Sequence, residues 1–315
     1  MNAVKGQVVD LPSGPRSGVL VIDKPSGPTS FDVVRQVKRV LRVRRVGHGG
    51  TLDPLATGVL PICLGEATKL AQFLLDADKE YEATIGFGVE TDTYDAMGTV
   101  TERRGAVGLT PAAVEGALAQ FRGAIRQVPP RFSALKLRGR PLYEYARAGE
   151  EVDPAPRNVV VHELAVVGWS GPETAVVRVR CSKGTYIRSL AFDLGRALGT
   201  GAHLTALRRT RSGPFGLDAA SSLDEIATAP LVPLPRALGH LPAVVASLAV
   251  ARQLEQGQRV SWAALETRDP KVDPKGAAAS LPIEGRFQVL RPDGALLAVA
   301  ELTADATLRT LRVFN

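Results

Sequence analysis

The chain has 315 residues, 45% hydrophobic and 23% charged, a balance that excludes bulk disorder and is long enough for two packed units. It has no run of about 18 uncharged apolar residues to cross a membrane, and its two cysteines, Cys63 and Cys181, are too far apart for a disulfide framework or a zinc pattern. The 39 Lys and Arg against 32 Asp and Glu give a net charge of +7, a weak pointer to a polyanionic partner in a reducing, cytoplasmic setting.

Residues 1–17 read as a flexible leader without the apolar stretch of a signal peptide. Val19–Asp23 predicts a short strand, closed by the turn Lys24-Pro25-Ser26-Gly27-Pro28. Thr29 or Ser30 can cap a helix in which Val33, Val37, Val40 and Leu41 recur at helical spacing, with Arg35, Lys38, Arg39 and Arg42 on the outer face. Val46–Gly50 (VGHGG) breaks that helix, and a loop from Thr51 to Gly58 leads into the apolar Val59–Leu64. Alternation predicts a half-buried strand over Glu82–Val89. Thr110-Pro111 opens a helix that Gly123 ends, and the basic, Pro-rich, aromatic Gln127–Glu150 reads as an exposed insertion. Val159–Val167, Thr174–Ser182 and Leu204–Arg211 predict further strands, and Tyr186–Leu198 a helix stopped by Gly199.

Strands and helices follow one another in mixed order, without regular βαβ alternation. That predicts an α+β fold on a mixed, largely antiparallel sheet. The Pro-rich stretch Pro230–Pro242 marks a boundary between units at 18–235 and 241–315. Beyond it, a helix over Val244–Gln256 and a hairpin turning at Pro292-Asp293-Gly294 predict a small, mainly-β unit; only Lys275–Ser280 is of low complexity.

The charge is uneven. From Leu241 onward 9 Lys/Arg face 8 Asp/Glu, so +6 of the net charge belongs to the residues before it. Arg35, Lys38, Arg39, Arg42, Arg44 and Arg45 form one cluster without an acid, and Arg208, Arg209 and Arg211 form another. Such runs flanking loops that carry His and Asp suit a phosphate-binding surface. Lys24, Arg39, Arg42, Arg45, Arg208 and Arg209 are the candidate phosphate contacts.

Four segments carry candidate chemistry: Gly47-His48-Gly49-Gly50-Thr51-Leu52-Asp53-Pro54; Asp78-Lys79-Glu80-Tyr81-Glu82; Ser182-Lys183-Gly184-Thr185-Tyr186-Ile187-Arg188; and Gly201-Ala202-His203-Leu204-Thr205-Ala206-Leu207-Arg208-Arg209. A carboxylate among glycines beside a basic helix repels the phosphates such a helix would attract, so its presence calls for a reason. Arg188, one turn into its helix, can pair with a carboxylate. Taken alone, Asp53-Pro54 is also an ordinary turn, and Tyr81 also an ordinary packing residue.

Together these segments are similar to the motifs of the TruB family, the tRNA pseudouridine-55 synthases. GHGGTLDPLATGVLPICLGEATKL carries the resemblance first, and VIDKPSGPTSFDVV, KEYEATIGFGVETDTYDAMG, the runs Pro129–Lys136 and Leu142–Arg147, and CSKGTYIRSLAFDLG extend it over about Gly18 to Phe215. The resemblance implies that Asp53 is the catalytic carboxylate, with Arg188 paired to it and Tyr81 stacked on the target base. It implies substrate contacts at His48 and Tyr186, and Leu207 in the wall of the uracil pocket. It implies a catalytic domain with an RNA-gripping insertion at about 127–150, and a PUA-like C-terminal domain. The implied partner is the T-arm stem-loop of tRNA, bound by a cytoplasmic monomer with no cofactor, no metal and no membrane. Phe132 departs from the pattern, standing where the family commonly has Tyr. Two alternatives remain open at this point: a pseudouridine synthase for another RNA, and a non-catalytic tRNA-binding or chaperone protein of the same fold.

Pseudouridylation breaks the N1–C1′ bond of uridine, turns the uracil and joins C5 to C1′. It changes no oxidation state, a carboxylate needs no activating base at neutral pH to take part, and Tyr81 and Asp53 are the two candidates for taking the C5 proton. The target must leave its stack, at a few kcal/mol, which an aromatic face and an apolar wall offset.

Overall fold

The computed structural model describes residues 17–171, 173–265 and 285–314. The predicted leader and the low-complexity stretch fall outside them, apart from Ser17. The chain opens on β1 (Gly18–Lys24), α1 (Ser30–Leu41), β2 (Val46–His48) and β3 (Thr57–Leu64). A 3-10 turn leads into α2 (Ala71–Asp76) and β4 (Lys79–Phe87), then the hairpin of β5 (Val89–Thr91) and β6 (Val100–Arg103), α3 (Pro111–Leu118) and β7 (Gly123–Gln127). The insertion folds as a small hairpin, β8 (Lys136–Leu137) and β9 (Arg140–Pro141), followed by α4 (Leu142–Arg147). After it come β10 (Arg157–Trp169), β11 (Thr174–Cys181), α5 (Ile187–Ala197), β12 (Ala202–Ser212), β13 (Phe215–Gly216) and α6 (Leu234–Ala237). The last stretch holds β14 (Ala243–Val245), α7 (Leu248–Glu255), β15 (Arg286–Leu290), β16 (Leu296–Leu302) and β17 (Leu308–Val313).

One large sheet runs β1-β3-β12-β4-β11-β10-β7, with β2 on β3 and β13 on β12. Its pairs are antiparallel except β3 with β12. The near-continuous apolar run of β3 is that of a strand buried on both faces: from Gly58 onward every residue of it is buried. β11 falls in the predicted strand Thr174–Ser182 and alternates, with Val177, Val179 and Cys181 buried together and Arg178 exposed. The α+β reading therefore holds, as a mixed, largely antiparallel sheet.

Local chemistry explains the elements around the site. The Thr29 side chain accepts from Asp32 N while the Asp32 carboxylate accepts from Thr29 N, a capping box that starts α1. Val33, Val34, Val37 and Leu41 bury the inner face of α1 against the sheet, and Arg42 closes it in the left-handed conformation. Gly58 sits at φ +100°, where an added Cβ would lie 2.2 Å from the Arg209 carbonyl. Only glycine lets β3 approach β12 so closely.

A second sheet, β14-β15-β16-β17, has its own core around Phe287, Val289 and Leu297. Its other side packs Leu296, Val299 and Phe314 against Val19, Val21, Phe73 and Leu74 below the large sheet.

Several expectations need correction. The helix predicted over Val244–Gln256 is strand β14 followed by α7, because Ser247 caps the helix through Val250 N and the branched Val244 and Val245 pair with β15. VGHGG does not merely break a helix: its first three residues form β2. The helical stretch Gly65–Asp76 and strand β7 were absent from the sequence reading.

Candidate active site

The central feature is the loop from Gly50 to Ala56, and three buried polar groups hold it by its backbone. Ser30, at the start of α1, donates to Leu52 O at 3.0 Å and accepts from Leu52 N at 2.8 Å. Lys24 Nζ donates to Pro25 O, Pro54 O and Ala56 O at 2.9, 3.3 and 2.7 Å. Arg209 Nη1 and Nη2 donate to Thr51 O and Gly50 O at 3.2 Å each, and its Nε donates to Val59 O at 2.7 Å. Lys24 is 0% and Arg209 1% exposed. The expectation that these two contact phosphate is therefore overturned: their charges are spent on carbonyls under the loop. Burial pushes Lys24 down to about 8 and also lowers the Arg209 guanidinium.

The loop presents Asp53 to a cavity of about 340 Å³, lined also by Tyr81, Ser133, Leu135, Tyr186, Arg188 and Leu207. Arg188 Nε lies 2.9 Å from Asp53 Oδ2. The Nε–H is not aligned for a hydrogen bond, so this is a charge contact. The Asp53 side chain is 38% exposed and that of Arg188 only 6%, so the carboxylate faces the cavity with its cation behind it. The rest of the guanidinium is fixed: Nη1 donates to Thr93 O at 3.1 Å, Nη2 donates to Phe132 O at 3.0 Å, and Asp95 Oδ2 stands 3.7 Å from Nη1. Position 132 thus serves Arg188 through its carbonyl, for which Phe and Tyr are equivalent.

Tyr81 in β4 and Leu207 in β12 reach the cavity from adjacent strands, where the register pairs Leu207 with Ala83 and Arg209 with Tyr81. Burial raises the Tyr81 phenol above its ordinary value, partly countered by Arg209. Tyr186 is the residue before α5; the buried Gln127 accepts from its N–H and donates to its carbonyl, at 2.7 and 3.0 Å. His48 is not among the lining residues. It ends β2, accepts from Gly50 N at 3.4 Å through Nδ1, and is lowered from its usual value first by burial and then by Arg209. A neutral imidazole suits a base or ribose contact better than a phosphate.

Of the remaining basic candidates, Arg39, Arg42 and Arg45 are exposed on and just after α1, and Arg45 reaches Glu66 at 3.3 Å. Arg208 is partly exposed and holds Asp23 at 2.7 Å. Sequence reasoning missed Asp95, Thr93 and the structural use of Lys24 and Arg209. Asp95 stood within the TDTYDAMG motif, but nothing in its spacing announces a buried guanidinium as partner. A larger cleft of about 790 Å³ opens between Lys69 and the C-terminal strands; among the described residues its lining has no carboxylate.

The model of the TruB family pseudouridylate synthase N-terminal domain matches residues 38–187, and that of the tRNA pseudouridylate synthase B C-terminal domain matches residues 188–233. The chain is 45% identical over 305 residues to tRNA pseudouridine synthase B of Aromatoleum aromaticum, covering 95% of this chain and 92% of the relative. It is 48% identical over 290 residues to the protein of that name from Burkholderia pseudomallei, covering 90% and 92%. Among solved structures, an H/ACA RNP bound to a substrate RNA containing 2′-deoxyuridine superposes with a TM-score of 0.70 at 26% identity, over 95% of this chain and 85% of that one. With this likeness spread along nearly its whole length, the chain belongs to the TruB family of pseudouridylate synthases.

Proposed function

We propose that the protein converts uridine 55 in the T-loop of tRNA to pseudouridine, with Asp53 as the catalytic carboxylate. The observation that carries this is the pair of Asp53 and the buried Arg188, 2.9 Å apart at the wall of a cavity between Tyr81 and Leu207. Relatives named for tRNA are 43–48% identical, against 26% for the H/ACA particle, which favours tRNA over another RNA.

The flipped uracil stacks on Tyr81 and rests against Leu207, which repays part of its unstacking. Asp53 supplies the anion beside the glycosidic bond, and Arg188 holds that carboxylate in place. The N1–C1′ bond breaks with its electron pair left on N1, the uracil turns, C5 bonds to C1′, the C5 proton leaves, and N1 takes up a proton from water. A phenol raised by burial is a poor base at neutral pH, so we give Tyr81 the stacking role and Asp53 the proton. Catalysis belongs to 18–235, and 241–315 serves as a PUA-like RNA-binding domain of a cytoplasmic monomer.

The test is a T-arm stem-loop carrying tritium at uracil C5. The protein releases tritium, while Asp53→Asn, of nearly equal shape, releases none and binds the stem-loop as before. A normal rate in that variant would refute the assignment.

A further inference from the structure

Three side chains on one face of α5 each engage the short segment from Glu90 to Asp95. Arg188, Phe192 and Arg196 stand four residues apart, about 6 Å per step along the helix. Arg188 donates to Thr93 O at 3.1 Å and lies near Asp95. Phe192 stacks on Tyr94, with ring centroids 3.9 Å apart and planes 18° from parallel. Arg196 donates to both oxygens of the buried Glu90 at 3.2 and 3.3 Å, and its guanidinium lies 4.3 Å from the Phe192 ring centre. The helix and the segment are cross-linked like a three-rung ladder, and the first rung is the cation that holds Asp53.

The middle rung is the unusual one. Tyr94 has φ +62°, a left-handed conformation that a bulky residue adopts only under constraint. Both neighbours serve the guanidinium directly: Thr93 through its carbonyl, Asp95 through its carboxylate. On the far side the Tyr94 carbonyl accepts from Leu204 N at 3.0 Å, and Ala96 N donates to Leu204 O at 2.9 Å. The turn is therefore fixed to β12 by its backbone, and to α5 by the Arg188 contacts and by one aromatic ring packed beside them. Strain of this kind persists where the surroundings over-determine it, and here it aims two acceptors at one cation.

We propose that Tyr94, stacked on Phe192, is a positioning residue: it fixes the 93–95 turn against α5 and so sets the direction in which Arg188 presents Nε to Asp53. The inference rests on the reading of Asp53 as the catalytic carboxylate. It gives a role to a stacked pair that is not itself among the residues lining the Asp53 cavity.

The experiment compares Tyr94→Gly, Tyr94→Phe, Phe192→Leu and the double variant Tyr94→Gly/Phe192→Leu. Glycine takes φ +62° without strain, so its effect reports the lost ring and not a broken backbone. If it folds poorly, Tyr94→Asn, also tolerant of this conformation, carries the same expectation. Single-turnover tritium release and stem-loop Kd are measured separately. Tyr94→Gly and Phe192→Leu are each expected to slow the chemical step about 10- to 100-fold, the range for a small misplacement of a catalytic group, with Kd unchanged. Tyr94→Phe restores the wild-type rate, and the double variant is no slower than the slower single, because the two rings act as one rung. Unchanged rates would overturn the proposal. So would a weakened Kd with a normal single-turnover rate, which would make Tyr94 an RNA contact, or losses that multiply in the double variant. Wild-type turnover and its loss in Asp53→Asn test the parent reading, and the Tyr94 ratios test this one.

Discussion

Arg209→Met separates two meanings of a cation in a basic cluster. Arg209 donates to Val59 O, Thr51 O and Gly50 O. Hydrogen bonds from a charged donor contribute roughly 1.5–3 kcal/mol each, so three gross to about 5–9 kcal/mol. The substitution also relieves the burial penalty of the guanidinium, several kcal/mol, and Met fills most of its volume. The net expectation is a loss of about 3 kcal/mol, read as a lower urea midpoint with an unchanged slope. Freed from its clamp, the Gly50–Ala56 loop no longer holds Asp53 against Arg188, so single-turnover release falls with it. Stem-loop affinity keeps its salt dependence, since no phosphate contact is lost. The reasoning is refuted if Arg209→Met is as stable as the wild type and its salt slope becomes shallower by about one, the signature of a removed phosphate contact.

The opposite outcome is expected on α1. Arg39→Glu with Arg42→Glu alters two exposed cations, so stability holds, the slope of log affinity against log salt drops by about two, and turnover at saturating stem-loop is retained; an unchanged slope puts the RNA surface elsewhere. A pH dependence follows from the second buried lysine. Lys79 donates to Leu74 O, Leu75 O and Ala77 O at the end of α2, and burial lowers it to about 8, as it does Lys24. Between about 8 and the unfolded value of 10.5 the unfolded chain holds protons that the folded chain has released, so these groups make stability rise with pH in that window. Urea unfolding at pH 8 and pH 9.5 should show a larger gain for the wild type than for Lys79→Met, and equal gains would contradict the burial of that charge.

What was legible in the sequence and what was not divide along a physical line. Patterns that act within a few residues could be read: a cap at Thr29 or Ser30, the alternation of Ala83, Ile85 and Phe87 in β4, the apolar run of β3. Patterns that need a distant partner could not. Val244 and Val245 fit a helix until β15 pairs with them. Asp95 looks like one more turn carboxylate until α5 brings Arg188 beside it. The basic residues show the limit most sharply, because composition counts cations without saying which face water. Two of the six named phosphate candidates, Lys24 and Arg209, lie beneath the Gly50–Ala56 loop, and a third, Arg208, is engaged with Asp23. The same type of side chain that stands exposed on α1 holds carbonyls under Asp53. Arg39 and Arg42 are the two of the six that are exposed and carry no ion pair among the described residues, while Arg45 reaches Glu66; both Arg39 and Arg42 belong to the end of the helix whose first residue, Ser30, grips the loop. On the reading proposed above, an RNA bound at Arg39 and Arg42 would rest on an element bonded through Ser30 to the backbone beside Asp53.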